Sequence, residues 1–199
     1  MPYIAIGCLS FVVLHFFDFF ALRKTPAAKP LTWIFGSGLL IYAVVIVSLS
    51  PEKIPLPVWS VWLGWILFAV SAFLLFYSLF VNLPLYKTYL STGVSDKLVR
   101  TGMYALVRHP GVHWLSLTLV SLILVTQSRL LFVATPIFIV LDIALVILQD
   151  RFFFVRMFAE YTNYQRETPM LVPTRQSLHA FITSLKSQSK YVDLVERRQ

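Results

Sequence analysis

Five long stretches of apolar residues, almost free of charge, constrain the fold of this chain more than any other feature. They cover residues 3–22, 31–49, 58–81, 112–126 and 130–148. A helix of about 20 apolar residues crosses the hydrocarbon core of a bilayer. Charged residues make up only 13% of the chain, against about 25% in soluble domains. The sequence therefore predicts an all-α integral membrane protein with five transmembrane helices.

The last two apolar stretches are separated only by Gln127, Ser128 and Arg129. A connection this short joins antiparallel helices, so we expect a tight helical hairpin. The fourth stretch is short for a full crossing at about 1.5 Å per residue. The hairpin nevertheless returns the chain to the side from which it started.

The basic residues predict the orientation in the membrane. All but Lys53 and Arg129 of the 17 Lys and Arg residues follow the first, third or fifth stretch. The positive-inside rule then places the N-terminus outside and the C-terminus in the cytoplasm. We expect the first stretch to be a retained anchor, because it has no basic n-region and no small-residue cleavage site. The bacterial inner membrane and the endoplasmic reticulum both fit. The basic residues predicted to face the cytoplasm are Arg23, Lys24, Lys29, Lys87, Lys97, Arg100, Arg108, Arg151, Arg156, Arg166, Arg175, Lys186, Lys190, Arg197 and Arg198.

The net charge is +8. We expect the basic residues to contact membrane lipid rather than nucleic acid, because basic loops of membrane proteins face anionic headgroups. The single cysteine, Cys8, excludes a disulfide framework and a cysteine-based zinc site. His and carboxylate residues do not cluster with ligand spacing either. We therefore expect no nucleic-acid partner and no metal.

The chain is predicted to form a single membrane domain in three parts. Residues 1–81 hold three transmembrane helices, and residues 82–173 hold a cytoplasmic loop, the hairpin and the candidate site. In residues 174–199, apolar and basic side chains recur at helical spacing, which is typical of an amphipathic helix on a membrane surface. These side chains are Leu178, Phe181, Ile182 and Leu185 with Arg175, Lys186 and Lys190.

Arg108, His109 and Pro110 form the first candidate motif. Proline suits the first turn of a helix, where its missing N–H is not needed. Arg108 and His109 then lie at the helix N-terminus, where free N–H groups and the helix dipole favour an anion such as a carboxylate or phosphate. The alternative is a basic flank of a membrane helix that happens to begin with proline.

A second cluster follows the fifth stretch, where Gln149, Asp150, Arg151 and Arg156 stand among aromatic residues. The hairpin brings it to the same side as Arg108 and His109. Charged groups and aromatics at the mouth of a bundle indicate a small-molecule pocket. An interfacial aromatic belt with solvated charges is the other interpretation.

Three further polar residues lie inside apolar stretches. Asp142 is predicted to face the bundle interior and to pair with His113 across the hairpin, because both lie about fourteen residues from the turn. His15 and Asp18 are one helical turn apart, and we interpret them as packing or snorkelling residues.

Gly102-x-Tyr104, Arg108-His109-Pro110, a terminal hairpin, and then Phe158, Tyr161, Tyr164 and Val172-Pro173 occur in this order. Together they resemble the isoprenylcysteine carboxyl methyltransferase superfamily, integral membrane enzymes that use S-adenosylmethionine. The motifs cover residues 98–173, and the first three helices are similar only in number and hydropathy.

The resemblance implies a cofactor pocket for S-adenosylmethionine under the cytoplasmic leaflet, with a lipophilic or small-molecule methyl acceptor. Arg108 would hold the methionine carboxylate, and Asp150 the ammonium group or the ribose hydroxyls. Asp150 and Arg151 are the candidate catalytic residues, and Arg151 or Arg156 would bind an anionic acceptor. The other implied cofactor contacts are Leu98, Val99, Tyr104, His109, Pro110 and Gln149.

Three positions depart from the family pattern, namely Val112 in place of an aromatic, Gln149-Asp150 in place of an acidic pair, and Phe158-Ala159 in place of Phe-Gly. Asp150-Arg151 is the other register for the acidic pair, because the spacing to Tyr161 differs by one residue. Two alternatives therefore stay open. Membrane reductases of the sterol type, which use NAD(P)H, share a similar Arg-His-Pro element and tail. A non-catalytic membrane protein that retains the fold is the other.

Overall fold

The computed structural model describes residues 2–25, 27–84, 86–90 and 98–196, with the side chains of residues 86, 87 and 187–196 excepted. Every named element in these ranges is a helix. Three of them are single π-helical turns, at Tyr77–Val81, Tyr86–Leu90 and Gln149–Phe153. The α-helices are α1 (Pro2–Arg23), α2 (Ala28–Ser48), α3 (Val58–Phe76), α4 (Met103–Leu106), α5 (Pro110–Thr126), α6 (Arg129–Leu148), α7 (Phe154–Met157), α8 (Tyr161–Glu167) and α9 (Arg175–Glu196).

Four helical segments in the described part of the chain are long and apolar enough to cross a membrane. They are Pro2–Arg23, Ala28–Ser48, Val58–Val81 and Arg129–Met157. The prediction of an all-helical fold is therefore confirmed, and these four segments agree with the prediction of a membrane protein. The predicted fourth span corresponds to α5, which is apolar but has only 17 residues.

Glycines allow the helices of the bundle to approach closely. A Cβ atom added at Gly64 of α3 would lie 2.9 Å from the backbone nitrogen of Val125 in α5. A Cβ atom at Gly7 of α1 would lie 2.3 Å from the ring of Phe138 in α6. Small residues at such crossings let helices pack by van der Waals contact where apolar lipid provides no hydrophobic drive. Phe138 itself has no exposed surface and belongs to the core of the bundle.

One end of the bundle is closed by the α5–α6 turn and the segment between α2 and α3. Gln127 adopts a left-handed conformation, with φ 52°, and its carbonyl accepts a hydrogen bond from the Ile54 N–H at 2.8 Å. Ser128 caps α6 by accepting from the Leu131 N–H at 3.1 Å, and its hydroxyl donates to the Val47 carbonyl at 2.5 Å. Lys53 and Arg129 lie at this end, opposite Arg23, Arg108 and Arg151.

Helix α9 packs beside α4, near the end of the bundle that lies opposite the α5–α6 turn. Its first turn is capped reciprocally, because the Ser177 N–H donates to the Thr174 hydroxyl oxygen and the Thr174 N–H to that of Ser177. The Gly102 N–H donates to the Ser184 hydroxyl oxygen at 2.9 Å. The apolar side chains of Leu178, Ile182 and Leu185 stay exposed. The predicted basic residues Lys97, Arg197 and Arg198, and the side chains of Lys87 and Lys190, lie outside the described residues.

Candidate functional site

The Arg108-His109-Pro110 segment begins α5 as the sequence predicts. Pro110 is the first helical residue and His109 is the N-cap. The φ of proline is fixed near the helical value and its missing N–H removes no bond in the first turn. The backbone N–H groups of Arg108 and His109 donate instead to the carbonyls of Pro169 (2.9 Å) and Met170 (3.2 Å). The segment before α5 is therefore fixed to the chain that follows α8.

The Arg108 guanidinium forms a bidentate ion pair with Asp150. Its Nε lies 2.8 Å from Oδ1 and its Nη2 lies 2.8 Å from Oδ2. The third nitrogen, Nη1, donates to the carbonyls of Gln165 and Thr168. Only 8% of the Arg108 side chain and 7% of the Asp150 side chain is exposed. Bidentate, charge-assisted bonds in such burial are among the strongest polar contacts in proteins.

Asp150 accepts further hydrogen bonds from three directions. The Tyr161 hydroxyl donates to Oδ1 at 2.6 Å, and the Gln165 side-chain amide donates to Oδ2 at 3.0 Å. His109 Nε2 lies 3.3 Å from Oδ1. Both carboxylate oxygens are thus saturated by protein groups. We call Arg108, His109, Asp150, Tyr161 and Gln165 the Asp150 network.

Burial changes the titration of the Asp150 network. Burial lowers the pKa of the His109 imidazole, and this outweighs the opposing effect of Asp150. The ring is therefore neutral at pH 7 and can donate from Nε2 to the carboxylate. Burial raises the pKa of the Tyr161 phenol, and its bond to Asp150 adds to the shift. Burial opposes the charge on Arg108, but the bonds to Asp150 prevail and raise the pKa of its guanidinium.

Aromatic side chains surround this network. The His109 ring is stacked on Phe154 with centroids 5.9 Å apart, and Phe154 meets Tyr161 edge-on at 5.4 Å. The Tyr164 hydroxyl donates to the Tyr104 carbonyl at 2.6 Å. The two motif regions that the sequence singled out are therefore packed together in one buried cluster.

Gln149 and Asp150 begin the π-helical turn Gln149–Phe153, and they face different partners, since consecutive helical residues point in different directions. The Gln149 side-chain amide donates to Asp18 Oδ2 at 2.9 Å. Asp18 is only 1% exposed, and Lys29 of α2, 2% exposed, lies near it. Asp18 is thus a buried contact between helices rather than a snorkelling residue.

The other predicted site residues occupy several environments. Leu98, Val99 and Tyr104 are half-buried, and the Tyr104 hydroxyl donates to the Ser78 carbonyl at 3.2 Å. Arg151 and Arg156 are exposed.

The predicted pair inside the hairpin is not formed. Asp142 is 9% exposed, whereas His113 is exposed, and no hydrogen bond joins the two among the described side chains. The two residues lie at a similar depth, but they occupy different faces of their helices.

Two features of the site were not predicted from the sequence. Arg100 lies over the Tyr164 ring at 5.7 Å and pairs with Glu160 at 2.9 Å. Asn82 accepts from the Met103 N–H at 3.0 Å and donates to the Thr101 carbonyl at 3.2 Å. Both join residues far apart in the chain, and no local pattern marks them.

Comparison with protein-family models, with characterised proteins and with solved structures finds no match to this chain.

Proposed function

We propose that this protein is a membrane methyltransferase that uses S-adenosylmethionine and acts on a lipophilic or small thiol or carboxylate acceptor. One observation carries the proposal. The two regions that resemble the isoprenylcysteine carboxyl methyltransferase superfamily, 98–110 and 149–173, meet in one buried cluster around Asp150. In this proposal α5 also crosses the membrane, as the fourth of five spans, the N-terminus is outside, and the cluster lies at the cytoplasmic face.

The residues present fit the cofactor in part. Tyr104, Leu98 and Val99 are half-buried, and in this proposal they would form an apolar and aromatic wall for the adenine ring or the sulfonium. Arg108 and Asp150 are engaged with each other, so a cofactor contact at either would replace a bond within the Asp150 network. We infer that the Arg108–Asp150 ion pair mainly positions this wall, which His109 and Pro110 would continue.

When bound, S-adenosylmethionine supplies an electrophilic methyl group. Methyl transfer is an in-line displacement, so the protein has to align the acceptor and exclude water. Arg151 and Arg156 are exposed at the end of the Arg129–Met157 segment and would orient an anionic acceptor. The neutral His109 ring is bonded inside the network, so no proton-transfer step is assigned to it.

An apolar cavity supports a lipophilic acceptor. Its volume is about 250 Å³, and it lies between α3, the turn at Gly102 and Met103, and α9. Phe73, Tyr77 and Phe181 line it. It opens beside the segment that carries Tyr104, so an apolar group here would lie close to the proposed cofactor wall.

One observation favours a non-catalytic membrane protein as a second candidate. The resemblance assigns the Arg108 guanidinium and the Asp150 carboxylate to the cofactor. Both groups already have hydrogen-bond partners within the chain. A network of this kind also serves simply to join α5, α6 and the C-terminal region.

Calorimetric titration of the detergent-purified full chain tests the proposal. We expect saturable binding of S-adenosylhomocysteine in the micromolar range that is typical of enzymes. Tyr104→Leu should weaken it at least tenfold, because the aromatic wall is lost. The matched control is Tyr42→Leu, at a 48% exposed position of α2, which should bind normally. Binding of NADPH instead would replace the proposal by the reductase, and binding of neither ligand would favour the non-catalytic candidate.

A further inference from the structure

A second apolar cavity lies at the end of the bundle opposite Asp150. Its volume is about 510 Å³, and it is bounded by α5, α6 and the segment between α2 and α3. Ile54, Val120, Phe132, Thr135 and Ile139 are among the side chains that line it. From Arg129 at the start of α6 to Ile139 the helix rises about 15 Å. This is half of the roughly 30 Å hydrocarbon thickness, so the cavity has the depth of one leaflet.

The lining indicates an apolar occupant. An ordered water molecule needs two to four polar partners. Of the lining side chains in the described residues, Thr135 alone is polar, and its hydroxyl has no hydrogen-bond partner there. Water is therefore a poor occupant, whereas an alkyl chain matches the lining.

Basic residues stand at the mouth of this cavity. Lys53 precedes the lining residue Ile54, and Arg129 lies one helical turn before the lining residue Phe132. Both basic side chains are exposed, and Glu52 lies 3.6 Å from Arg129. The local charge is still positive by one, so an anionic group is favoured beside the apolar cavity.

We propose that this cavity binds the acyl chain of an anionic phospholipid, with the phosphate beside Lys53 and Arg129. The site is distinct from the proposed cofactor site and lies at the other end of the bundle. A bound chain would fill the space between the hairpin and the segment that closes its tip.

Native mass spectrometry of the full-length protein in micelles with added phosphatidylglycerol tests the site. We expect one lipid to be retained per chain. Val120→Trp should weaken retention at least tenfold, because the indole fills the cavity. The matched control is Val133→Trp. Both valines are 41% exposed, but Val133 does not line the cavity, so this variant should retain the lipid.

The phosphate contact is tested in the same measurement. The double variant Lys53→Gln/Arg129→Gln should weaken phosphatidylglycerol at least fivefold and leave diacylglycerol with the same chains unchanged. The control, Arg23→Gln/Lys24→Gln, removes two exposed charges at the opposite end of the bundle and should change neither. Equal retention by the Val120 and Val133 tryptophan variants, or a dimer of the chain in place of the lipid, would overturn the proposal.

Discussion

Replacement of Arg108 by methionine is expected to lower the free energy of unfolding by about 3–5 kcal/mol, the usual effect of breaking a buried ion pair. The Asp150 carboxylate would keep its bonds from Tyr161 and Gln165 but lose the only full positive charge that contacts it in the described structure. Two carbonyls, of Gln165 and Thr168, would also lose their donor. Chemical unfolding in micelles, followed by circular dichroism, measures the change.

The pair itself is isolated by a double-mutant cycle with Asp150→Leu. We expect the double variant Arg108→Met/Asp150→Leu to be more stable than the sum of the single effects by about 2 kcal/mol, because no buried charge then stays unpaired. Arg151→Met, at an exposed position, is the control and should change stability by no more than about 0.5 kcal/mol. Strictly additive single effects would contradict the ion-pair account.

Gly102→Ala is expected to disturb both stability and ligand binding. Gly102 has φ 61° and ψ −135°, a conformation that L-residues rarely adopt and that costs of the order of 1–3 kcal/mol. An added Cβ would also lie 2.5 Å from Asn82 Oδ1, the atom that accepts the Met103 N–H. The turn would have to shift, and Tyr104 two residues later would shift with it. We expect a loss of about 2 kcal/mol in stability and weaker binding of S-adenosylhomocysteine.

Gly38→Ala is the matched control for this substitution. Gly38 lies within α2, and an added Cβ there meets nothing within 4 Å. Alanine is a better helix former than glycine by about 0.5–1 kcal/mol, so the control should be unchanged or slightly more stable. If the Gly102 variant were as stable as the Gly38 variant, the turn at Gly102 would not be what positions Tyr104.

The helices were predictable because their information is local. Stretches of about 20 apolar residues predicted α1, α2, α3 and α6 to within a few residues, and the three-residue connection Gln127-Ser128-Arg129 predicted the hairpin. Pro110 likewise marked the start of α5. Each signal depends only on neighbouring residues, so one sequence is enough to read it.

The contacts within the site were harder to predict. Arg108 and Asp150 are 42 residues apart, and the family resemblance gave each of them a part of the cofactor as its ligand rather than each other. Consecutive helical residues point in different directions, so Gln149 faces Asp18 while Asp150 faces Arg108. Counting from the hairpin turn gave the depth of Asp142 and His113, but it could not give their direction around the helix axis.

The most direct test of the account is ultraviolet cross-linking of S-adenosyl-L-[methyl-¹⁴C]methionine to the purified protein, followed by tryptic mapping. The central claim is that the segment before α5 lines the cofactor site. We expect label in the peptide 101–108, which contains Tyr104, and its removal by excess S-adenosylhomocysteine. Absence of competed label from this peptide, or competed label found only elsewhere, would contradict the claim.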